Sequence, residues 1–389
     1  METIEVQLSD QEAERLAREG VEALGRGKPA EARERFERVT RSGRANAQIW
    51  MLLAVACDAM RDMIATEAAA DRLLAIEPHA VRGLILKGDC REAATDERAA
   101  LAAYEIALRV AGGQTLPDDL IAEVRRVDAW VAAFRVRVQD LREVALASAG
   151  FPPESRSARF QQSLDILNWS KRIYVQEPTG YYFPELPQIQ FFDTGAFDWV
   201  SSVEAATHAI RQEIQDLLDT AGTGDFRPYI QSEVNRPRLD KNPLLDSKDW
   251  SALFLCENGR LSDEIIARCP ATWDAVQAAP LPWIVNSPTA MFSLLRAGAR
   301  INPHTGMHNA RLTCHLPLIV PPGCRFRVGN DVREWEVGKL IIFDDSIEHE
   351  AWNESAEDRI VLIFDIWRPE LSEQERQEVA ALFRGPATG

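Results

Sequence analysis

The chain has 389 residues, 46% hydrophobic and 27% charged, which suits a globular protein with a sizeable core and room for two domains. A net charge of −16 excludes an extended nucleic-acid groove, which needs clustered Lys and Arg. Six scattered cysteines without a C-x-x-C pair suggest free thiols in a reducing compartment; with no apolar leader and no long apolar run, the expected location is cytoplasmic, without membrane insertion.

Residues 9–110 are rich in Ala, Glu, Arg and Leu, with apolar positions at helical spacing. They repeat with a period of 34: Gly20, Ala54 and Gly88 fall in phase, as do Ala32, Thr66 and Ala100, and Phe36, Ala70 and Tyr104. Two helices per unit explain this, with small residues where helices cross, large ones in the groove, and Pro78 ending the second unit. The spacing resembles the tetratricopeptide repeat, with about three units; Thr66 and Ala70 depart from its usual residues. Such helical hairpins stack into a concave surface for a peptide or a partner protein. Residues 117–148 read as a further helix capping the stack. Gly150-Phe-Pro-Pro breaks the pattern, so the domains are expected at 1–150 and 180–389, joined by a linker helix within 151–179.

After residue 178 aromatics and prolines appear together, as in an extended chain packed on a sheet. An amphipathic helix is expected over 200–221, with His208 on its solvent side. Strands are expected near 249–257, 289–296, 311–320, 324–328, 334–337, 339–343 and 359–367, with a helix at 269–283 and a closing helix begun by the Ser372/Glu375 capping box. Many short strands without interleaved helices fit a jelly roll better than a parallel sheet. The whole is then an α+β multidomain chain, an all-α repeat solenoid followed by a cupin-like barrel.

Four of the six histidines lie in the stretch 303–365: His304, His308, His315 and His349. Mononuclear oxygen-activating iron takes two histidines and commonly one carboxylate, leaving positions open for co-substrate and dioxygen. His304 and His349 are 45 residues apart, each at the edge of a strand run, and Arg359 follows ten residues later at the head of an alternating strand. A buried guanidinium there needs an anion, so this spacing suggests iron with a dicarboxylate. A cupin-like barrel binding zinc through histidine, or one without metal, stays open at this point. Asp344 and Asp345 read as ordering a turn, and Trp250 and Trp352 as core or pocket wall.

Pro303-His-Thr-Gly, Asn309-Ala-Arg-Leu-Thr-Cys-His, Phe343-Asp-Asp-Ser-Ile-Glu-His-Glu-Ala-Trp and Arg359-Ile-Val-Leu-Ile-Phe-Asp, in this order and spacing, resemble the aspartyl/asparaginyl β-hydroxylase family over roughly 180–375. The resemblance implies a dioxygenase dependent on Fe(II) and 2-oxoglutarate, built on a double-stranded β-helix. It implies His304 and His349 as iron ligands, Arg359 on the distal carboxylate of 2-oxoglutarate, and His315, Ser293 and Arg311 near the co-substrate. The family lacks the carboxylate ligand, and Gly306 stands where one would be. Thr313 stands where better-known members have a second arginine. The implied reaction is hydroxylation of an unactivated C–H, the β-carbon of Asp or Asn in a peptide or protein that the repeats recruit. Relatives of this fold also act on free or carrier-bound amino acids and acyl chains. The reading from another class is a repeat-based adaptor whose barrel is a non-catalytic remnant.

Overall fold

The period of 34 is carried by pairs of helices. In order, α1 (Asp10–Gly25) packs on α2 (Pro29–Arg41), α3 (Ala47–Ala59) on α4 (Met63–Ile76), and α5 (Val81–Ala93) on α6 (Glu97–Ala111). A side chain at Gly20 would collide with the buried Phe36 ring, and one at Gly88 with the buried Tyr104 ring. That close approach explains the small residue at the crossing. In the middle pair Ala54 and Ala70 are both small and both fully buried. Thr66 stays inside because its hydroxyl donates to the Asp62 carbonyl at 2.8 Å. After Pro117, α7 (Asp118–Ser148) lays Leu120, Val127 and Val131 into the core of α5 and α6, covering the last pair.

The computed structural model describes residues 8–232, 242–284 and 287–384. The chain divides into two units, Met1–Gln161 and Gln162–Gly389, and the division falls within α8 (Ala158–Leu167). The linking helix is shorter than its polar pattern suggests, because Trp169 adopts a positive φ of 57°. From Arg172 onward the chain is tied by hydrogen bonds to the rest of the second unit. The Arg172 N–H donates to Asn330, the Asn330 amide donates back to the Arg172 carbonyl, and the buried Gln176 side chain donates to Asp344 at 2.7 Å.

The second unit contains β1 (Phe191–Phe192), α9 (Val200–Ala205), α10 (Thr207–Ala221), β2 (Arg227–Pro228), β3 (Trp250–Glu257), β4 (Arg260–Leu261), α11 (Asp263–Arg268) and α12 (Pro270–Gln277). There follow β5 (Ala290–Leu295), β6 (Arg300–His304), β7 (Arg311–Ile319), β8 (Cys324–Val328), β9 (Asp331–Glu334), β10 (Ile341–Phe343), β11 (His349–Asn353), β12 (Arg359–Trp367) and α13 (Glu373–Arg384). The expected 200–221 helix is interrupted at Ala206, and the strand expected at 334–337 lies at Asp331–Glu334. The named strands pair antiparallel. One sheet runs β1-β10-β7-β12-β5-β3-β2, with β4 beside β3; the other runs β6-β11-β8-β9.

Period-two alternation gives the large sheet two apolar faces with different tasks. Leu312, Cys314, Leu316 and Leu318 of β7, with Ile360, Leu362, Phe364 and Ile366 of β12, pack against Val203, Ile210, Ile214 and Trp273 of the helices. The other face meets the small sheet, where Leu295, Val361 and Phe343 share a core with Ile301, Phe326, Val328 and Ala351. Arg311, Thr313 and His315 of β7, and Arg359, Ile363 and Asp365 of β12, fall on this second side and line a cavity. A one-residue slip in either strand would turn these polar groups into the helix-packed core.

Candidate active site

The cavity, about 290 Å³, is walled by both sheets. Two strands that the sequence pattern did not predict, β6 and β11, pair with His304 directly opposite His349. The two rings lie 4.1 Å apart, centroid to centroid, inclined at 51°. Each Nδ1 meets the carbonyl two residues earlier, His304 to Asn302 at 2.8 Å and His349 to Ile347 at 3.0 Å. A carbonyl only accepts, so Nδ1 carries the proton and both Nε2 lone pairs remain available. Burial, and next the His304 ring, push His349 down to about 3, so it is neutral at pH 7.

Among the described residues no third His, Cys, Asp or Glu completes a metal-binding group with this pair. Gly306 donates its N–H to the Asp345 carbonyl at 2.7 Å, and any side chain at 306 would run into the Asp345 carboxyl group. Two neutral imidazoles facing one another could hold a single divalent metal ion and leave its other positions to non-protein ligands.

Arg359 is 1% exposed and faces the cavity. Among the described residues it has no carboxylate partner; its guanidinium lies over the Trp335 ring, 4.9 Å from the centroid, and its Nε is unpartnered. Burial pulls it down to about 10, so it remains a cation at neutral pH. Its surroundings are His315, with an unpartnered Nδ1 held well below the usual histidine range by burial and then by Arg359, and Ser293, whose hydroxyl accepts from Trp250 Nε1 at 3.1 Å. These groups can receive a carboxylate together.

Arg311 lines the same cavity but is paired. Its Nη1 donates to Asp365 at 2.6 Å, and its Nη2 is 3.7 Å from Asp345. Thr313 stands opposite Asp365 across the β7–β12 ladder. Asp345 is pushed up to about 7, by burial first and against the pull of Arg311. Its neighbour Asp344 orders the turn, accepting from Ser346, and forms a fully buried pair with Arg368 at 2.5 Å. His308 is buried against Tyr181 and Phe383, outside the cavity lining, and His208 is exposed. Trp250 is pocket wall, whereas Trp352 lies on the outer side between Arg300 and Arg325. Tyr229, Trp335 and Asp365 line the cavity without having been anticipated. Only Asp365 left a signal, its even offset from Arg359 along one strand.

Residues 204–369 match the family model described as aspartyl/asparaginyl beta-hydroxylase. Human aspartyl/asparaginyl beta-hydroxylase is 34% identical over 191 residues, covering 49% of this chain but only 24% of that protein. The ornithine lipid ester-linked acyl 2-hydroxylase of Rhizobium tropici is 33% identical over 231 residues, covering 58% of this chain and 76% of that protein. Among solved structures, the first TPR of Spaghetti (RPAP3) bound to an HSP90 peptide aligns at 18% identity and a TM-score of 0.28, over 33% of this chain and 98% of that one. With the family model and a relative matched over three quarters of its length, the chain belongs to the aspartyl/asparaginyl β-hydroxylase family.

Proposed function

We propose that the chain is a 2-oxoglutarate- and Fe(II)-dependent dioxygenase on a double-stranded β-helix, hydroxylating the β-carbon of an Asp or Asn residue in a peptide or protein. The observation that carries this is the buried, unpaired Arg359 in the cavity that also holds the two facing histidines. An uncompensated guanidinium costs several kcal/mol, on the order of 3–5, and a ligand carboxylate removes that cost. His304 and His349 would hold the iron through Nε2, with Nδ1 fixed by the backbone so that the rings cannot turn away. Arg359 would grip the distal carboxylate of 2-oxoglutarate, with His315 and Ser293 beside it. When bound, iron with 2-oxoglutarate and dioxygen supplies the oxidising chemistry. Phe326, Phe343, Trp335 and Met291 give the cavity an apolar wall, which would limit water around the reacting atoms. The Asp345 carboxyl group fills the space beside Gly306 on the cavity wall, where it could hold a proton close to the reaction.

The helical repeats would present the peptide. A second reading, an acyl-chain hydroxylase, is favoured by the long match to the Rhizobium tropici protein. Anaerobic titration of the protein with Fe(II) and 2-oxoglutarate tests the common part. A charge-transfer absorption band is expected for the wild type and absent for His304→Ala and His349→Ala; a wild type without the band refutes the dioxygenase.

A further inference from the structure

His304 and His349 come from the smaller of the two sheets. There β6 is an edge strand, paired with β11, and that ladder shifts register between His349 and Ala351. An edge strand on an irregular ladder does not by itself fix two rings at one separation.

The segment 176–183 lies against both histidine loops, the one after His304 and the one before His349. Gln176 pairs with Ile347 in an isolated antiparallel bridge, and the Glu177 N–H donates to the Ser346 carbonyl at 2.8 Å. Ile347 is the residue whose carbonyl meets His349 Nδ1. Further along, the Thr179 N–H donates to the Gly306 carbonyl at 3.0 Å, and those of Gly180 and Tyr181 donate to the Met307 carbonyl at 3.0 and 2.9 Å. Phe183 and the Asn309 side chain close the contact, with the Phe183 N–H donating at 2.6 Å and its carbonyl accepting at 2.8 Å.

The Gln176 side chain joins the two loops directly. It is buried; its Oε1 accepts from Asn309 at 3.0 Å, and its Nε2 donates to Asp344 at 2.7 Å and to the Pro187 carbonyl at 3.1 Å. Asn309 follows His304 by five residues, and Asp344 precedes His349 by five. An amide suits this place because it accepts on one side and donates on the other. Arg368 spans the same gap, donating to Asp344 at 2.5 Å and to the Asn309 carbonyl at 3.5 Å. Its loss would also leave a buried acid without its cation. Gln176 is neutral, so its removal isolates the positional part.

We propose that Gln176 is a positioning residue for the histidine pair: it clamps the loop after His304 to the loop before His349, and so sets the separation at which both rings meet a metal. This rests on the metal-binding part of the reading above and deepens it.

The test uses the full chain, titrated anaerobically with Fe(II) and then with 2-oxoglutarate. Gln176→Met removes the three side-chain hydrogen bonds at similar volume. Its Fe(II) dissociation constant should rise about tenfold or more, as for other residues that orient metal ligands without touching the metal. Its charge-transfer band should also be displaced, in protein that still unfolds cooperatively. Ile214→Val, in the helix-packed core, loses stability by cavity formation and should leave the iron constant unchanged. An unchanged constant in Gln176→Met overturns the proposal. So does an equal loss in Ile214→Val, which would tie iron binding to stability in general. If Gln176→Met does not fold, Gly180→Ala replaces it at an exposed position, where the new Cβ would stand 3.1 Å from the Met307 carbonyl and part the segment from the His304 loop. Its iron constant should rise as well, and an unchanged value there overturns the proposal equally. A wild type that binds no iron refutes the dioxygenase reading itself, before any variant is compared.

Discussion

Arg359 and Arg311 stand on the same face of one sheet and line one cavity, yet the fold treats them in opposite ways. Arg311 is balanced by Asp365 at 2.6 Å and by Asp345, and these acids hold its guanidinium above its ordinary value despite burial. Arg359 has a tryptophan face and, among the described residues, no acid, and burial pulls it down to about 10. Burial penalises both cations. One is compensated within the protein and contributes to the fold; the other has no compensating acid among the described residues, and its burial weakens the unliganded protein. A buried charge is therefore informative here through its missing partner, not through its presence.

Removing each arginine should separate the two ends. Arg311→Met leaves Asp365 and Asp345 buried without their cation, and the unliganded protein is expected to lose about 3–5 kcal/mol in denaturant unfolding. Asp365 keeps the Thr289 N–H at 2.9 Å, so the lower figure is the better expectation. Arg359→Met removes an uncompensated charge, so unliganded stability should hold or rise. Its apparent constant for 2-oxoglutarate should instead rise about thirtyfold or more, the result of losing about 2–5 kcal/mol of buried charge pairing. Two variants that melt alike would break the comparison.

The ligand itself sharpens it. With Fe(II) present, 2-oxoglutarate at about 100 times its dissociation constant should stabilise the wild type by about 2.7 kcal/mol. Calorimetry should show this gain retained in Arg311→Met and lost at the same concentration in Arg359→Met. Loss in both variants would mean that the co-substrate bridges the two ends.

Much of this division was legible in the chain. Alternation along Arg359–Trp367 puts Arg359 and Asp365 on one side, because the offset is even and the period is two. The repeat period likewise put Gly20 and Gly88 at one phase and Phe36 and Tyr104 at another, as small crossing and large groove positions, and the structure sets each ring against its glycine. What stayed hidden depended on long-range pairing. β6 and β11 are short and carry polar residues, so no apolar alternation marks them, and their ladder alone puts His304 opposite His349. Trp335 directly follows β9, just past the strand that was expected to include it, and nothing local predicts that it will lie under Arg359. Arg311 was expected near the co-substrate; its pairing with Asp365 depends on the register of β7 against β12, which spacing within one strand cannot give.

The smallest expected effect concerns Gly306, which abuts the paired end of the cavity. A Cβ at this position would overlap the Asp345 carboxyl group, and the Gly306 N–H already donates to the Asp345 backbone carbonyl. Gly306→Ala should therefore cost about 1–2 kcal/mol, because Asp345 is buried and has little room to turn away. Iron binding should survive in that variant, since neither histidine moves with the added methyl. Gly306→Asp looks like a repair of the missing carboxylate ligand, but it would press a second acid against Asp345 within a buried sector. Its iron affinity should fall below that of Gly306→Ala, in an anaerobic Fe(II) titration of both variants. Tighter iron binding by Gly306→Asp, with stability unchanged, would mean that Asp345 yields freely and that the Arg311 end is not the fixed, internally balanced region described above.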